Sequence, residues 1–427
     1  MKRFHKAAGK TVWAAIDVAK SQHEVLLELP DGSRRKMTVA NSRADFDQFN
    51  AYLTSLRASV EVGLEPTGDY HRAIANFLLR EGHHVQFVSS IATNRTREAL
   101  YNSWDKNDPK DAQVILHLLK GGVTQKFHDP LENGIHDLQE LLGTYRQIVG
   151  RKTRVYHSLM THYLPLYFPE AEPFVASSRS EWFLEVFFVA PSPSAVLKFS
   201  LSAFLKKTVK GDAGHPTVRR KLVAEYYETA KRSVGIPVAA DSVAMQMFRA
   251  VLEEYIRLAK LRRLLEKQIH EHLEQNGDYI HLRTVPGIGP IIALTILAEA
   301  GDLRRFSHHR KFLKYCGLDL SASQSGTHHG TPQLSKRGNA RLRCAFWMAG
   351  RVAVAQRRNG FRKKYDDYVK RDPHDVDLKR KAYTAVAAKM ARVVYGIVKS
   401  GSDYRHFMDA SIVVNGRIPS LGAVEAT

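Results

Sequence analysis

The sequence has few of the residues that build disulfide-stapled or membrane proteins. Only two of its 427 residues are cysteines, Cys316 and Cys344, which excludes a disulfide framework and a cysteine-rich zinc site and leads us to expect a reducing cytoplasm. No apolar run reaches the roughly eighteen residues of a transmembrane helix, so we expect no membrane association. The first residues, MKRFHKAAGKTVWAAID, are basic but lack the apolar stretch of a signal peptide.

Acidic residues are also in deficit. The chain has 64 Lys and Arg against 43 Asp and Glu, a net charge of +21 and a pI near 9.8. Such an excess of positive charge indicates a polyanionic partner, most often nucleic acid. With 44% hydrophobic residues the composition is that of a globular protein, long enough for two or three domains.

Residues 12–90 alternate strand and helix patterns. TVWAAIDVA is a continuous apolar run with a β-branched start, which predicts a central buried strand. HEVLLELP and RRKMTVA, separated by PDGS, predict a hairpin. The helix RADFDQFNAYLTSL, the strand SVEVGLEP, the helix HRAIANFLLREG and the strand HHVQFVSS follow. This order is typical of a ribonuclease-H-like α/β domain.

The rest of the chain is predicted to be mainly helical. Apolar residues between 241 and 275 recur every three or four positions, so this helix packs either against 135–165 in a hairpin or against another chain in a coiled coil. A helical insertion with basic loops spans about 170–235. We therefore predict an α/β plus α architecture. Its parts are a ribonuclease-H-like domain at 1–125, a helical region at 126–279, a mainly α domain at 280–405 and a loose tail at 406–427.

Carboxylates stand where two apolar strands end. Asp17 ends the strand AAID, and Glu65 follows VGL, with Asp69 as a competitor for the same role. Taking a carboxylate out of water costs on the order of several kcal/mol. Stability alone therefore does not explain acids at these positions. Each could nevertheless simply cap a turn.

The stretch WDKNDPKDAQVI adds three aspartates at a spacing of three. Asp108 with Pro109 is a good N-cap pair for the helix DAQVILHLLKGG. Asp108 and Asp111 also share one face of the first helical turn, where two carboxylates repel unless a cation joins them. Because the first and fourth strands of a ribonuclease-H-like sheet are neighbours, Asp17 and Glu65 could meet this turn. Such a cluster binds two Mg²⁺ ions for phosphodiester chemistry. The pattern alone does not decide between caps and a metal site.

Two C-terminal segments could contact phosphates. TVPGIGPIIALTILAE predicts a helix-hairpin-helix element, in which Gly287 and Gly289 let the backbone approach a phosphate at a helix N-terminus. An ordinary glycine turn between packed helices is the alternative. LSASQSGTHHGTPQLSKRGNARLR fits a phosphate-binding loop or a serine nucleophile, but also a solvated loop. The cations of these segments that we expect to bind nucleic acid are Lys336, Arg337, Arg341 and Arg343.

Several motifs resemble those of one known family. AAIDVAK, GLEPTGDY and NDPKDA resemble, in order, the three acidic motifs of the DEDD-type insertion-sequence transposases of family number one hundred and ten, which includes the Piv-type DNA invertases. RTVPGIGPIIALTILAEAGDLRRF, KYCGLDLSASQSG and SKRGNARLR resemble that family's C-terminal transposase domain. The resemblance covers roughly 10–120 and 280–400, with the motifs in the family's order.

The resemblance implies a RuvC-like N-terminal domain, a dimerising coiled-coil linker and a C-terminal domain with a nucleophilic serine. It implies DNA recombination by a dimer or tetramer, in which an RNA encoded by the element pairs with donor and target double-stranded DNA. The serine is Ser325 in QSG, with Ser323 as the alternative. The acidic tetrad, which would hold Mg²⁺, carries over to Asp17, Glu65, Asp108 and Asp111.

This sequence departs from the family pattern at two places. Asp105 supplies an extra acid, so the pair could be Asp105 with Asp108, although Ala112 after Asp111 favours the later pair. The insertion at 170–235 also looks longer than in compact members, which puts its role in doubt.

Two other functions remain open. A structure-specific junction nuclease would use the tetrad with water as nucleophile and need no serine. A non-enzymatic RNA-binding protein would use the acids only as caps.

Overall fold

The computed structural model describes residues 11–101, 108–127, 131, 134–177, 181–209, 216–321, 324–325, 328–330, 332–356 and 359–405. The chain forms two compact units, 1–132 and 133–427. Asp105, Ser323 and the predicted tail lie outside the described residues.

The first unit is an α/β domain. All five predicted strands are present, together with a sixth of only two residues, too short to leave a pattern in the sequence. The elements are β1 (Thr11–Asp17), β2 (Gln22–Glu28), β3 (Arg34–Ala40), α1 (Arg43–Ser55), β4 (Ser59–Leu64), α2 (His71–Arg80), β5 (His84–Phe87), α3 (Ser90–Tyr101), α4 (Asp108–Lys120) and β6 (Gln125–Lys126).

These strands form one mixed sheet in the order β3-β2-β1-β4-β5-β6. β1 pairs antiparallel with β2 and parallel with β4, which is the neighbour relation that a ribonuclease-H-like sheet requires. Along β1, Val12, Ala14 and Ile16 join the core that also contains α1 and α2 residues. Ala15 and Trp13 face the other way, into the cluster formed with α4. Helices therefore cover both faces of the sheet, which explains the unbroken apolar run of β1.

His23 on β2 is a fully buried histidine in this core. It stacks on Phe46 with ring centroids 6.1 Å apart, and neither ring nitrogen has a hydrogen-bond partner among the described residues. A protonated ring would place an unpaired charge in the core, so burial lowers the pKa of His23 below its ordinary value. The unfolded chain therefore binds a proton at higher pH than the folded chain does.

We expect the free energy of unfolding of this unit to fall as the pH drops below about 6.5, the ordinary histidine pKa, by at most about 1.4 kcal/mol per pH unit from this group. His23→Leu should remove that part of the pH dependence. Burial lowers the pKa of His71 and His83 as well, so a smaller dependence will remain. Urea unfolding at several pH values measures the effect, with exposed His84→Leu as control. Parallel curves for wild type and His23→Leu would contradict the expectation.

The second unit is mainly helical. Its first elements are α5 (Ile135–Ser158), a π-helical turn (Leu159–Tyr163), α6 (Leu164–Tyr167), a 3-10 turn (Pro169–Ala171), α7 (Glu172–Ser177), α8 (Glu181–Val189), α9 (Pro193–Val196), α10 (Leu201–Thr208), α11 (Pro216–Ala230) and α12 (Val243–Leu273). The later helices are α13 (Gly277–Arg283), α14 (Pro290–Ala300), a 3-10 turn (Leu303–Arg305), α15 (His309–Cys316), α16 (Ala340–Ala355), α17 (Gly360–Val369) and α18 (Val376–Ser400). Between α15 and α16 lie four two-residue strands, β7 (Leu320–Ser321), β8 (Gln324–Ser325), β9 (His328–His329) and β10 (Gln333–Leu334).

The two long helices α5 and α12 form an antiparallel pair within the chain. Leu138 near the start of α5 shares a core with Ile269 near the end of α12, whereas Ile148 packs with Leu258. The Tyr145 hydroxyl donates a hydrogen bond of 2.9 Å to Glu266 across the pair. The apolar stripe predicted for 241–275 therefore packs against the helix predicted at 135–165.

The insertion is helical, as the sequence predicts. Helices α7 to α11 surround an aromatic core that includes Phe183, Phe187 and the fully buried Tyr226, and the N-terminal half of α12 completes it through Phe248. The Tyr226 hydroxyl donates to the Ala190 carbonyl at 2.8 Å. No helix of the described part of the chain is long and apolar enough to cross a membrane.

Candidate active site and nucleic-acid contacts

Asp17 and Glu65 leave the sheet side by side. The parallel register pairs Ile16 with Leu64, so the next residue of each strand is one of the two acids. Side chains of a strand alternate between faces, so Asp17 belongs to the same face as Trp13 and Ala15, the face that α4 covers. The prediction that these two strands are neighbours is confirmed, and both acids stand at the carboxyl edge of the pair.

Helix α4 packs on the face of the sheet to which Asp17 belongs. Its last residue, Lys120, pairs with Glu28, which lies opposite Trp13 near the start of β1.

Gly63 allows α4 to approach β4 closely. A Cβ atom at Gly63 would lie 3.0–3.2 Å from the side chain of Leu119, tighter than ordinary van der Waals contact. The glycine in SVEVGLEP is thus a packing requirement for α4. It fixes the distance between the helix that carries Asp111 and the strand that leads to Glu65.

Asp111 forms a buried ion pair with Arg97 of α3. The Asp111 carboxylate accepts hydrogen bonds from Arg97 Nε at 2.7 Å and Nη2 at 2.5 Å, and the two side chains are only 5% and 11% exposed. Arg97 Nη1 also donates to Asn94 at 3.2 Å. Arg97 could not be identified from the sequence, because neither arginine of TNRTREAL carries a periodic or motif signal.

The donor chemistry of these acids fits a hard divalent cation, since Mg²⁺ takes carboxylate oxygens. Within the described residues, however, no group of three or more acidic, histidine or cysteine side chains lies close enough together to hold a metal ion. The side chain of Asp108, the fourth acid of the predicted tetrad, lies outside the described part. The structure thus places Asp17 and Glu65 at the carboxyl ends of neighbouring strands, and the tetrad itself stays a prediction.

The predicted serine loop is a β-ribbon. β7 pairs antiparallel with β10, and further out β8 pairs with β9, with Ser325 opposite His328. At the base of the ribbon, Ser335 donates its backbone N–H to the Asp319 carbonyl at 2.9 Å. Ser325 therefore stands near the tip of a hairpin and not in an irregular loop.

Close backbone contacts hold the base of this ribbon. A Cβ atom at Gly338 would lie 2.5 Å from the Tyr315 carbonyl oxygen, and φ is +138° there. Lys336 is a non-glycine residue with φ of +54°, and its carbonyl accepts a hydrogen bond of 3.0 Å from Arg343 Nη1. Arg343, predicted to bind nucleic acid, thus supports the ribbon, whereas Lys336 and Arg337 are exposed.

Arg341 also has a partner within the protein. Its Nη1 lies 3.0 Å from Glu299, which accepts hydrogen bonds from Arg146 at 2.7 Å and from Asn339 at 2.7 Å. Burial opposes ionisation of Glu299, but the hydrogen bonds from Asn339, Arg146 and Arg341 outweigh it and lower the pKa of Glu299. Glu299 thereby joins α5, α14 and the start of α16.

The glycine turn between α13 and α14 packs against α16. Gly287 has φ of +89°, and a Cβ atom there would lie 2.2 Å from the Ala349 carbonyl oxygen and 2.9 Å from the Ala353 nitrogen. Gly289 precedes α14 with an ordinary φ of −85° and only Arg283 Nη1 nearby, at 3.8 Å. The turn joins the two helices α13 and α14, and Gly287 serves helix packing within it, whereas the predicted helix-hairpin-helix element stays a prediction.

The strand order, with acids at the carboxyl ends of two neighbouring parallel strands, defines an α/β domain of the ribonuclease-H-like class. A family model for DEDD transposases of the IS110 type matches residues 14–169, and the model "Transposase IS116/IS110/IS902 family" matches residues 280–366. The chain belongs to the IS110 family of DEDD transposases, and it is an enzyme that cuts and rejoins DNA.

Several relatives support this membership. The 43.6 kDa protein of insertion element IS110 from Streptomyces coelicolor is 24% identical over 426 residues, covering 94% of this chain and 97% of that protein. The mini-circle protein of IS117 from the same organism is 23% identical over 79% of this chain and 83% of its own length. The transposase of IS1111A from Coxiella burnetii is 26% identical over 33% of this chain and 38% of its own length.

Among solved structures, Thermus thermophilus RuvC in complex with a Holliday junction substrate matches 27% of this chain and 99% of RuvC. The TM-score is 0.20 and the sequence identity 11%. At that score the likeness adds nothing to the topology given above.

Proposed function

We propose that this transposase holds Mg²⁺ on Asp17, Glu65, Asp108 and Asp111 and uses Ser325 as the nucleophile that attacks a DNA phosphodiester. The observation that carries the proposal is the parallel pairing of β1 with β4. It supports the proposal because Asp17 and Glu65 follow paired residues of neighbouring parallel strands, and α4, which begins with Asp108, packs on the face of Asp17.

When bound, Mg²⁺ would neutralise charge on the scissile phosphate and on the transition state. The side chains of the protein position the cation and supply the nucleophile. The acids orient the cation at the sheet edge, and the β8–β9 ribbon presents Ser325. Attack by the Ser325 Oγ on phosphorus forms one P–O bond and releases the DNA hydroxyl as leaving group. The resulting phosphoserine conserves the ester bond, so the reverse attack by another DNA hydroxyl rejoins the strand.

The acids belong to the unit 1–132 and Ser325 to the unit 133–427. Chemistry therefore requires the two units to meet, either within one chain or between two copies in a dimer or tetramer. We propose the second arrangement. Site-specific crosslinking between mixed, differently tagged copies tests it, and crosslinks confined to one chain would contradict it.

The partners we propose are double-stranded donor and target DNA and a non-coding guide RNA. The net charge of +21 supports polyanionic partners in general, because neutralising phosphates releases counterions. The role of RNA rests on the family resemblance, and RNA that copurifies with the protein from its host would be the material to sequence.

The experiment is covalent trapping on labelled DNA that spans the element's ends, with Mg²⁺ and copurified RNA. We expect wild type to give a protein–DNA adduct on a denaturing gel, and Ser325→Ala and Asp108→Ala to lose it. Ser321→Ala, on the neighbouring β7, is the matched serine control and should keep the adduct. DNA cleavage without an adduct, unchanged by Ser325→Ala, would instead indicate a water-using junction nuclease. Binding without any cleavage would favour a non-enzymatic role.

A further inference from the structure

A cluster of basic side chains lies where α15 packs against α18, away from the residues discussed above. His309 and Arg310 begin α15, and His308 caps it by accepting the Arg310 backbone N–H at 3.2 Å. The rings of His308 and His309 are 4.1 Å apart, and His309 lies 6.4 Å from the Tyr395 ring of α18. Arg392, one helical turn before Tyr395, is on the same side of α18.

Among the described residues, no carboxylate pairs with the side chains of His309, Arg310 or Arg392, although arginines elsewhere in this unit, such as Arg304 and Arg362, have carboxylate partners. Burial and the neighbouring charge of Arg310 lower the pKa of Arg392. Burial, and then the charges of His308, Arg392 and Arg310, lower the pKa of His309. Among the described residues, the charges that lower the pKa values of Arg392 and His309 are all positive.

A half-buried arginine beside other cations is costly unless something binds it. Coulomb repulsion and desolvation both act against it, and a bound anion would relieve both. The guanidinium fork matches the oxygens of a phosphate, and the start of α15 adds the positive end of a helix dipole. Beside the cluster, the stacked rings of Phe312 and Tyr395, with centroids 6.3 Å apart, pack α15 against α18.

We propose that His308, His309, Arg310 and Arg392 form a binding site for a backbone phosphate of nucleic acid. The inference rests on the proposed function, since it gives the DNA or RNA partner of that transposase a defined contact. The shared chemistry is the phosphodiester, which both nucleic acids supply.

Salt dependence of binding tests the site. Full-length protein is titrated with a labelled duplex DNA and, separately, a labelled RNA, and the logarithm of affinity is followed against the logarithm of salt concentration. Arg392→Gln and Arg310→Gln should each weaken binding and reduce the slope for DNA by about 0.9 per lost phosphate contact. Between about 50 and 200 mM salt, the affinity of each variant should then fall about 3-fold to 4-fold less than that of wild type.

The control is Arg380→Gln, which removes the same charge from the same helix. Arg380 is exposed and already pairs with Asp377 at 3.1 Å, so its slope should equal the wild-type slope. Thermal melting checks the fold of Arg392→Gln. Arg310 is exposed, so Arg310→Gln tests the site even if the other variant unfolds.

A reduced slope on DNA alone, on RNA alone or on both supports the site and identifies its ligand. Slopes for both cluster variants equal to that of Arg380→Gln on both nucleic acids would overturn it. If wild type itself bound neither nucleic acid, the proposed function would fail. If wild type bound nucleic acid in a salt-sensitive way and the variant slopes were unaltered, only the phosphate site would be contradicted, and the proposed function would stand.

Discussion

Replacing Arg97 with leucine will destabilise the unit 1–132 by about 3–5 kcal/mol, because it removes one member of the buried ion pair with Asp111. Asp111 is 4% exposed, so water cannot take over the role of the guanidinium. Urea unfolding gives the size of the effect. Amide hydrogen exchange in β1 and α4 shows whether it is local to the sheet edge.

Arg43→Leu is the matched control. Arg43 also forms a hydrogen-bonded pair, with Asp47 at 2.8 Å, but its side chain is 77% exposed. An exposed pair of this kind contributes little to the free energy of unfolding, because water and salt screen it. A loss for Arg97→Leu no larger than that for Arg43→Leu would show that the Arg97–Asp111 pair is not the buried contact described above.

The double variant Arg97→Leu, Asp111→Leu separates stability from catalysis. Removing both members of the buried ion pair is less costly than removing one, so most of the lost stability should return. Activity should not return if Asp111 is a metal ligand. A double variant that cuts DNA would place Asp111 outside the tetrad and favour Asp105 with Asp108 as the acidic pair. Mg²⁺-dependent stabilisation of Arg97→Leu, absent from the double variant, would independently identify Asp111 as a ligand.

The central strands could be predicted because TVWAAID and SVEVGL are rich in apolar and β-branched residues. The first and fourth strands are neighbours in a ribonuclease-H-like sheet, so the sequence also predicted that Asp17 and Glu65 could meet. Arg97 could not be found in this way. Its partner lies 14 residues away on another helix, and only the packing of α3 on α4 brings the two side chains together.

In the C-terminal half, the sequence predicted less of the local structure. The ribbon at 320–334 consists of two-residue strands, which are shorter than the roughly four to eight residues over which strand alternation can be recognised. Arg341 and Arg343 carry the charge that indicates nucleic acid, yet one pairs with Glu299 and the other supports Lys336. Composition predicts that a basic chain binds a polyanion. Composition does not show which basic side chains already bind other groups of the protein.

Gly287→Ala should be the most damaging single-methyl change in the unit 133–427. The new Cβ atom would meet the Ala349 carbonyl oxygen at 2.2 Å, and backbone of a packed helix cannot rotate away as a side chain can. The φ of +89° adds strain for any residue with a Cβ atom. Together we expect a loss of about 2–5 kcal/mol, combining roughly 1–2 kcal/mol of backbone strain with roughly 1–3 kcal/mol of overpacking.

Gly289→Ala is the matched control two residues away, and it also decides between the two explanations of the glycine turn. Gly289 has φ of −85° and no protein atom nearer than 3.8 Å to the added methyl group, so its variant should melt close to wild type. If the turn serves packing, Gly287→Ala alone unfolds early, and Gly289→Ala binds DNA normally. If the turn approaches a phosphate, a methyl group at Gly289 would obstruct the N-terminus of α14 and weaken DNA binding without loss of stability. Thermal melting and DNA titration of the two variants therefore assign Gly287 to the α16 contact and test Gly289, separately, as a nucleic-acid residue.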